Sequence, residues 1–297
     1  MRIGIHTSRA RSLENAALKA AELGANTFQI FSASPRMWRA IPPDPADIDR
    51  FRAARERLDL VPLAIHVNYL VNLAALDPAV RRRSIASFRG ELDRAAAIGA
   101  EYLVLHPGSY IGQSPDEGIA AFVRALAESA RGFRTPALTV LLENTAGSGC
   151  QIGSRFEELR AIRDLAARET PLPLGYCLDT CHLFAAGFNI ADAAGLNRTA
   201  DSIASILGPD LVRVIHANDS KGALGSHLDR HENIGKGKIG EEGFRLILNH
   251  PGFRDKAFIL ETPAENDSDG RHDLETLKRL AGPDAPRRKP RPNASKP

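Results

Sequence analysis

Cysteine is scarce in this 297-residue sequence, and the three that occur are an odd number. Such a count excludes a disulfide framework and fits a reducing compartment. No stretch approaches the roughly 18 apolar residues that a membrane-spanning helix needs, so we expect no membrane partner. Residues 1–6 lead directly into a strand-like pattern, which leaves no room for a signal peptide. These absences together predict a cytoplasmic protein.

A strong excess of charge is also missing from most of the chain. The net charge is +3, and residues 283–297 hold five basic residues and one acidic residue, or +4, which leaves −1 for residues 1–282. Basic character alone therefore gives no argument for nucleic-acid binding. The proline-rich segment 283–297 lacks large apolar residues and is predicted to be a disordered tail. It would serve either as a solubilising end or as a weak phosphate-attracting arm.

The remaining residues, 1–282, contain eight short aliphatic or β-branched runs, each followed by a helical pattern. The predicted strands are residues 2–6, 26–31, 62–67, 102–106, 138–144, 174–180, 212–218 and 257–262. Eight β-α units of about 36 residues, with no change of composition, predict one α/β domain, a (β/α)₈ TIM barrel. An open dinucleotide-binding sheet is disfavoured because no Gly-x-Gly-x-x-Gly follows the first strand. The glycine-rich segment 235–240 lacks Walker spacing and is predicted to be a loop.

Histidines and carboxylates close six of these strands, and in a parallel barrel the six ends meet on one rim. These residues are His66, His106, Glu143, Asp179, His216 and Glu261. Two positions earlier on each strand the residue is apolar and should fill the barrel interior, because strand side chains alternate. Those residues are Ala64, Val104, Leu141, Cys177, Val214 and Ile259.

The convergence of these six strand-end side chains predicts a metal site. Carboxylates crowded without partners would repel one another, and divalent cations remove that repulsion. Mixed histidine and carboxylate ligands suit zinc or manganese. Further ligands follow strands six and seven, His182 from a loop and the pair Asp229 and His231, so that three ions could be held. Cys177 and Cys181 are interpreted as packing thiols.

Several segments carry a specific resemblance to a known family. They are LHPGS (105–109), ENTAG (143–147), DTCH (179–182) with AAG (185–187), HANDSK (216–221), DRH (229–231) and LET (260–262). In order and over residues 1–282, they resemble the signature blocks of endonuclease IV, the trinuclear-zinc apurinic/apyrimidinic (AP) endonucleases. The resemblance implies a deoxyribonuclease of base excision repair that hydrolyses the phosphodiester 5′ to an abasic site. The products would be a 3′-hydroxyl and a 5′-deoxyribose phosphate, and blocked 3′ ends would also be trimmed.

The resemblance also assigns residue roles. One zinc would be held by His66, His106 and Glu143, and a second by Glu143, Asp179, His216 and Glu261. The third would take His182, Asp229 and His231. Mn²⁺ would be possible at one site. The candidate catalytic residues are Glu143, Glu261 and His182, and either glutamate could accept the proton of the attacking water.

The resemblance further places Arg36, Tyr69 and Leu70 on rim loops that enter the DNA minor groove at an abasic site. His227 departs from the family pattern, in which an arginine is frequent at this position; it would be an extra ligand, a DNA contact or neither. The expected partner is double-stranded DNA, and the expected oligomeric state is a monomer.

Two other functions are compatible with the rim residues. A sugar isomerase or epimerase of the xylose-isomerase-like barrels also carries Glu, Asp and His there, but uses one or two Mn²⁺ or Mg²⁺ ions. The additional histidines speak against it, since a monosaccharide site does not need three ions. A non-cutting lesion-binding or metal-storing protein would not need two ions bridged by one carboxylate.

Overall fold

The computed structural model describes residues 1–135, 137–263 and 269–282. Eight parallel strands form a closed barrel: β1 Arg2–His6, β2 Thr27–Phe31, β3 Leu63–His66, β4 Tyr102–Leu105, β5 Thr139–Glu143, β6 Leu174–Asp179, β7 Val212–His216 and β10 Ala257–Leu260. Their order around the barrel is β1-β10-β7-β6-β5-β4-β3-β2. Each lies within one of the eight predicted runs, so the TIM barrel predicted from the sequence is confirmed. Two further strands, β8 Asp219–Ser220 and β9 His231–Glu232, pair antiparallel as a ribbon above the barrel.

Helices alternate with the barrel strands and cover its outside. They are α1 Leu13–Glu22, α2 Pro45–Arg57, α3 Pro78–Ile98, α4 Pro115–Ser129, α5 Phe156–Glu169, α6 Thr180–Ala185, α7 Ala193–Ile206, α8 Gly240–Asn249 and α9 Arg271–Ala281, with a 3₁₀ turn at Pro209–Leu211. The local sequence sets their ends: α3 begins at a proline after Asp77, which caps two backbone amides, and ends at Gly99, whose φ of 80° suits glycine. None of the helices in the described ranges has the length and hydropathy needed to cross a bilayer.

The barrel interior is a small apolar layer beneath the rim. The six residues predicted to point inward are all buried there, together with Ala257. Tyr102 packs against the layer from one side. This layer fills the barrel interior. The polar side chains two residues further along the same strands therefore lie above it, at the rim. The predicted tail, residues 283–297, lies outside the described residues and stays a prediction.

Candidate metal centre

The six strand-end side chains converge at the carboxyl-terminal rim around Glu143, at the end of β5. Its Oε2 lies 3.1 Å from His66 Nε2 and 3.3 Å from His106 Nε2. Its Oε1 lies 2.8 Å from His216 Nδ1. Glu143 is 1% exposed, so these imidazoles replace the water that an ionised carboxylate would otherwise require.

Two of the predicted ligand groups share this carboxylate. The first group consists of His66, His106 and Glu143, and the second of Glu143, Asp179, His216 and Glu261. Within each group the ligand atoms lie within 4.8 Å of one another. Within the second group, Oε2 of Glu261 is 3.3 Å from His216 Nδ1. A single buried carboxylate with one oxygen toward each group has the arrangement of a bridging ligand.

The third group comprises His182, Asp229 and His231. Oδ1 of Asp229 lies 3.2 Å from His182 Nε2 and 3.4 Å from His231 Nε2. The predicted position of His182 in a loop was wrong, because this residue lies within helix α6. Asp179 starts that helix, and its Oδ1 accepts the backbone N–H of His182 at 2.8 Å. The helix turn therefore carries His182 back over the rim from the end of β6.

The donor atoms of the third group fit a cation. His182 Nε2 and His231 Nε2 are both buried, and neither makes an aligned hydrogen bond to any residue that the structure describes. Buried polar atoms are almost always paired, so two that point at one carboxylate require an explanation. A metal ion between the two nitrogens and the carboxylate oxygen would satisfy all three atoms, and zinc suits this donor set.

Backbone carbonyls orient several of these imidazoles. His66 Nδ1 lies 2.7 Å from the carbonyl oxygen of Val67, and His182 Nδ1 lies 2.9 Å from that of Asn144. A carbonyl only accepts, so each Nδ1 carries a proton and each Nε2 faces the cluster. Such contacts fix the rings of metal-binding histidines.

Without metal, protons on the histidines balance the carboxylates. Burial opposes ionisation of Glu143, yet His106 and His216 hold the pKa of its carboxyl well below the usual range. Burial alone would lower the pKa of His182, but Asp179 and Asp229 raise it to about 10. Burial would likewise raise the pKa of Asp229, and His182 lowers it to about 2. The cluster is therefore a set of carboxylates that binds positive charge, whether as protons or as metal ions.

Both cysteines near the rim are buried thiols, in agreement with their interpretation as packing residues. Cys177 belongs to the interior layer, and Cys181 Sγ lies 3.6 Å from the carbonyl oxygen of Arg230. Burial raises the pKa of each thiol to about 12. Both are neutral thiols at neutral pH and lie beside the predicted ligands, Cys177 within 4.8 Å of Glu143 and His216 and Cys181 within 4.8 Å of Asp179 and His231.

Sequence reasoning missed an outer set of amides around the ligands. Asn218 Nδ2 donates to Asp179 Oδ2 at 2.6 Å, and its Oδ1 accepts the backbone N–H of Glu261 at 2.9 Å. Asn144 Oδ1 accepts the backbone N–H of Asp179 at 2.7 Å. The two asparagines stand within two positions of predicted ligands, and that adjacency was an available signal. Gln29, which also contacts the cluster, lies on β2 and had no such signal.

A second feature missed from the sequence is the anchoring of the ribbon that carries His231. Asp219 on β8 is fully buried, and its carboxylate accepts the backbone N–H groups of Gly235, Gly237 and Ile239 at 2.9 to 3.0 Å. A Cβ at Gly237 would lie 2.4 Å from Asp219 Oδ1, so only glycine permits this approach. Residues 235–239 form a loop as predicted, whereas Gly240 is the first residue of α8. The amides of this segment are occupied by a side chain of the same protein.

We expect Asp219→Asn to lower the free energy of unfolding by about 2 kcal/mol, because an amide N–H₂ would face backbone donors that need an acceptor. Thermal unfolding of the metal-free protein measures the change. Asp93→Asn is the control, since Asp93 is exposed and pairs only with Arg89 within the described residues. Equal unfolding temperatures for the two variants would contradict the anchoring role.

The three predicted DNA-binding residues lie on adjacent rim loops. Tyr69 follows β3, is 67% exposed, and its ring centroid lies 5.3 Å from that of Phe31. Its backbone N–H donates to the carbonyl oxygen of Pro35 at 3.2 Å, which ties its loop to the one that carries Arg36. Arg36 is exposed and Leu70 is half-buried. The two loops thus meet beside the cluster, where the ring centroid of Tyr69 lies 6.2 Å from that of His66.

Other histidines of the rim do not join the three groups. His227, which departs from the family pattern, has φ 56° and its Nδ1 lies 2.9 Å from the carbonyl oxygen of Ala146, so it holds its own loop. His6 Nδ1 lies 3.8 Å from Glu261 Oε1 and 3.1 Å from Gln29 Nε2, a position behind the ligands.

Comparison with known proteins gives consistent matches over nearly the whole chain. The family model described as the xylose isomerase-like TIM barrel matches residues 17–280. A protein of Solibacter usitatus named probable endonuclease 4 is 60% identical over 286 residues, which are 96% of this chain and 99% of that protein. The crystal structure of endonuclease IV from Thermus thermophilus aligns with a TM-score of 0.83 at 37% identity, over 94% of this chain and 98% of that one. A D-tagatose 3-epimerase-like protein shares the fold alone, with a TM-score of 0.67 at 21% identity over 94% and 97% of the two chains.

Proposed function

Because this chain belongs to the endonuclease IV family of xylose isomerase-like TIM barrels, and is therefore a hydrolase of DNA repair, we propose that its substrate is duplex DNA at an abasic site. The strand would be cut 5′ to the lesion, leaving a 3′-hydroxyl and a 5′-deoxyribose phosphate. The observation that carries the proposal is the convergence of three ligand groups at one mouth, two of which share Glu143.

The proposed cofactor is three Zn²⁺ ions. His66, His106 and Glu143 would hold the first, Glu143, Asp179, His216 and Glu261 the second, and His182, Asp229 and His231 the third. When bound, zinc ions would neutralise the charge of a phosphodiester and lower the pKa of water to about 7. Four carboxylates contribute −4 and three dications +6, which leaves +2 to face an anionic backbone although residues 1–282 as a whole carry −1.

The protein's own side chains would bind and orient the phosphate, and one of them would accept the proton of the attacking water. Glu261 is the more accessible of the two candidate proton acceptors, with 18% of its side chain exposed against 1% for Glu143. It would therefore be the carboxylate that an arriving phosphate reaches first, whereas Glu143 is enclosed by the histidines. His182 would act as a ligand whose ring is fixed by its Nδ1–H donating to the carbonyl oxygen of Asn144.

The alternative of a sugar isomerase has less support. Its relatives in this comparison are similar in fold at 21% identity or lower, whereas endonuclease relatives reach 60%. A monosaccharide site also offers no role for the group of His182, Asp229 and His231.

The proposed location is the cytoplasm and the proposed oligomeric state a monomer.

Metal analysis combined with a cleavage assay tests the proposal. Protein purified without chelator should contain about three zinc per chain and nick a duplex immediately 5′ to a single abasic site, and chelation should abolish the nick. Sugar isomerisation without a nick would favour the alternative, and three zinc with lesion binding but no cleavage would identify a non-cutting protein.

Recognition of the lesion is proposed to use the three rim-loop residues. Tyr69 with Leu70 would fill the gap left by the missing base, because an abasic site has neither stacking nor pairing to lose. Arg36 would enter the minor groove beside them.

We expect Tyr69→Ala to weaken binding of an abasic duplex about tenfold, since aromatic stacking contributes about 1–3 kcal/mol. Fluorescence anisotropy with a non-cleavable abasic duplex measures this affinity, and the zinc content should stay unchanged. Tyr69→Phe keeps the ring and should bind like the wild type. An alanine variant with unchanged affinity would remove Tyr69 from the interface.

A further inference from the structure

Gln29 is a buried amide in the wall of the metal centre. It lies on β2, where it pairs with His6 on β1 and Ala64 on β3, and its side chain is fully buried. Its neighbours on the strand, Phe28 and Ile30, face the surrounding helices and belong to the main apolar core. Strand alternation therefore turns Gln29 toward the barrel axis, directly behind the second ligand group.

The carboxamide of Gln29 joins two of the proposed ligands. Its Nε2 donates to Glu261 Oε1 at 2.5 Å and lies 3.1 Å from His6 Nδ1. Its Oε1 lies 2.9 Å from His216 Nε2. The opposite amide orientation would place the amide oxygen against the Glu261 carboxylate, and the two would repel each other. These contacts therefore identify the amide nitrogen as the atom facing Glu261 and the amide oxygen as the atom facing His216.

This arrangement fixes the proton of the His216 ring. An amide oxygen only accepts, hence His216 Nε2 must carry a hydrogen and donate it to Gln29. The other nitrogen, Nδ1, is then the atom that faces Glu143 Oε1 at 2.8 Å and Glu261 Oε2 at 3.3 Å. The hydrogen bond to Glu261 Oε1 similarly leaves Oε2 of that carboxylate toward the cluster.

We propose that Gln29 is a positioning residue that selects the metal-binding atoms of the second group, Nδ1 of His216 and Oε2 of Glu261. The inference rests on the proposed function, because it concerns ligands of the proposed second ion. One neutral side chain would orient a histidine and a carboxylate together, which neither backbone carbonyls nor a charged residue at this position could do. A carbonyl cannot donate to Glu261, and a carboxylate would repel it.

The test uses Gln29→Met, which nearly matches the volume of glutamine and removes both hydrogen bonds. We expect one of the bound zinc ions to be held 10- to 100-fold more weakly in competition with a chromophoric chelator. The Co²⁺-substituted variant should also show altered visible bands. Gln113→Met is the matched control, since Gln113 Nε2 donates to the carbonyl oxygen of Ala74 away from the cluster.

A measurement on the zinc-loaded wild type requires no variant. Nitrogen-15 NMR of the histidine rings should find the His216 proton on Nε2, and the resonance should shift in Gln29→Met. A proton on Nδ1 in the wild type, or a variant with wild-type zinc affinity and spectra, would overturn the inference. Failure of the wild type to bind zinc at all would instead refute the proposed function.

Discussion

Glu143→Gln should slow cleavage of an abasic duplex by about 10³-fold or more, because the amide removes the one carboxylate shared by two ligand groups. Lewis-acid stabilisation by a metal contributes several kcal/mol, and each 1.36 kcal/mol is a factor of ten in rate. The variant should also contain fewer than three zinc ions. Single-turnover cleavage and metal analysis on the same sample measure both effects. Glu261→Gln, which removes a ligand of the second group only, should also slow cleavage strongly.

Glu101→Gln is the matched control for Glu143→Gln. Glu101 precedes β4 at the opposite end of the barrel, where its Oε2 pairs with Arg55 Nη2 at 2.7 Å. Loss of that pair should lower the free energy of unfolding. The zinc content and the cleavage rate of the folded protein should stay unchanged. If Glu143→Gln cut at the rate of this control, Glu143 would not be a ligand.

Zinc affinity of the third group should fall about 100-fold when the pH drops from about 8.5 to 6.5. The proton on His182 must leave before Nε2 can bind a metal, and Asp179 and Asp229 raise the pKa of that ring to about 10. Below this pKa each lost pH unit costs about tenfold in affinity per displaced proton. Chelator competition at the two pH values, with the released protons counted, measures the effect.

The same titration affects the metal-free fold in the opposite direction. Since the folded pKa of His182 is above the unfolded value of about 6.5, its stabilisation is complete below pH 6.5 and is lost as the pH rises toward 10. Metal-free protein should therefore lose stability over this range, whereas zinc-loaded protein should gain. His227→Gln is the control, because this histidine lies outside the three groups and should leave both slopes unchanged. A pH-independent zinc affinity would contradict the pairing of His182 with Asp229.

The sequence was sufficient to predict the barrel and the meeting of its strand ends. Each strand is a short apolar run of its own, and in a closed parallel barrel chain order alone determines that every carboxyl end lies on one rim. His66 and Glu261 could therefore be placed together although they are 195 positions apart. The alternation of side chains was enough to place Cys177 beneath them.

The contacts behind the ligands could not be predicted in this way. Gln29 faces Glu261 because β1 lies between β2 and β10 with one particular register, and no local pattern encodes that register. The Asp219 anchor joins a strand to amides 16 to 21 positions later through a loop with irregular geometry. Helix α6 was missed because it has only six residues, too few for a periodic pattern.

The protonated state of Cys177 and Cys181 has a consequence for chemical durability. Peroxide attacks thiolates, and a zinc site built on cysteine releases its ion when sulfur is oxidised. The proposed ligands here are imidazoles and carboxylates, and the two cysteines are neutral buried thiols. The metal centre therefore contains no thiolate for an oxidant to attack. We expect such a nuclease to keep cutting in conditions that inactivate zinc–thiolate proteins.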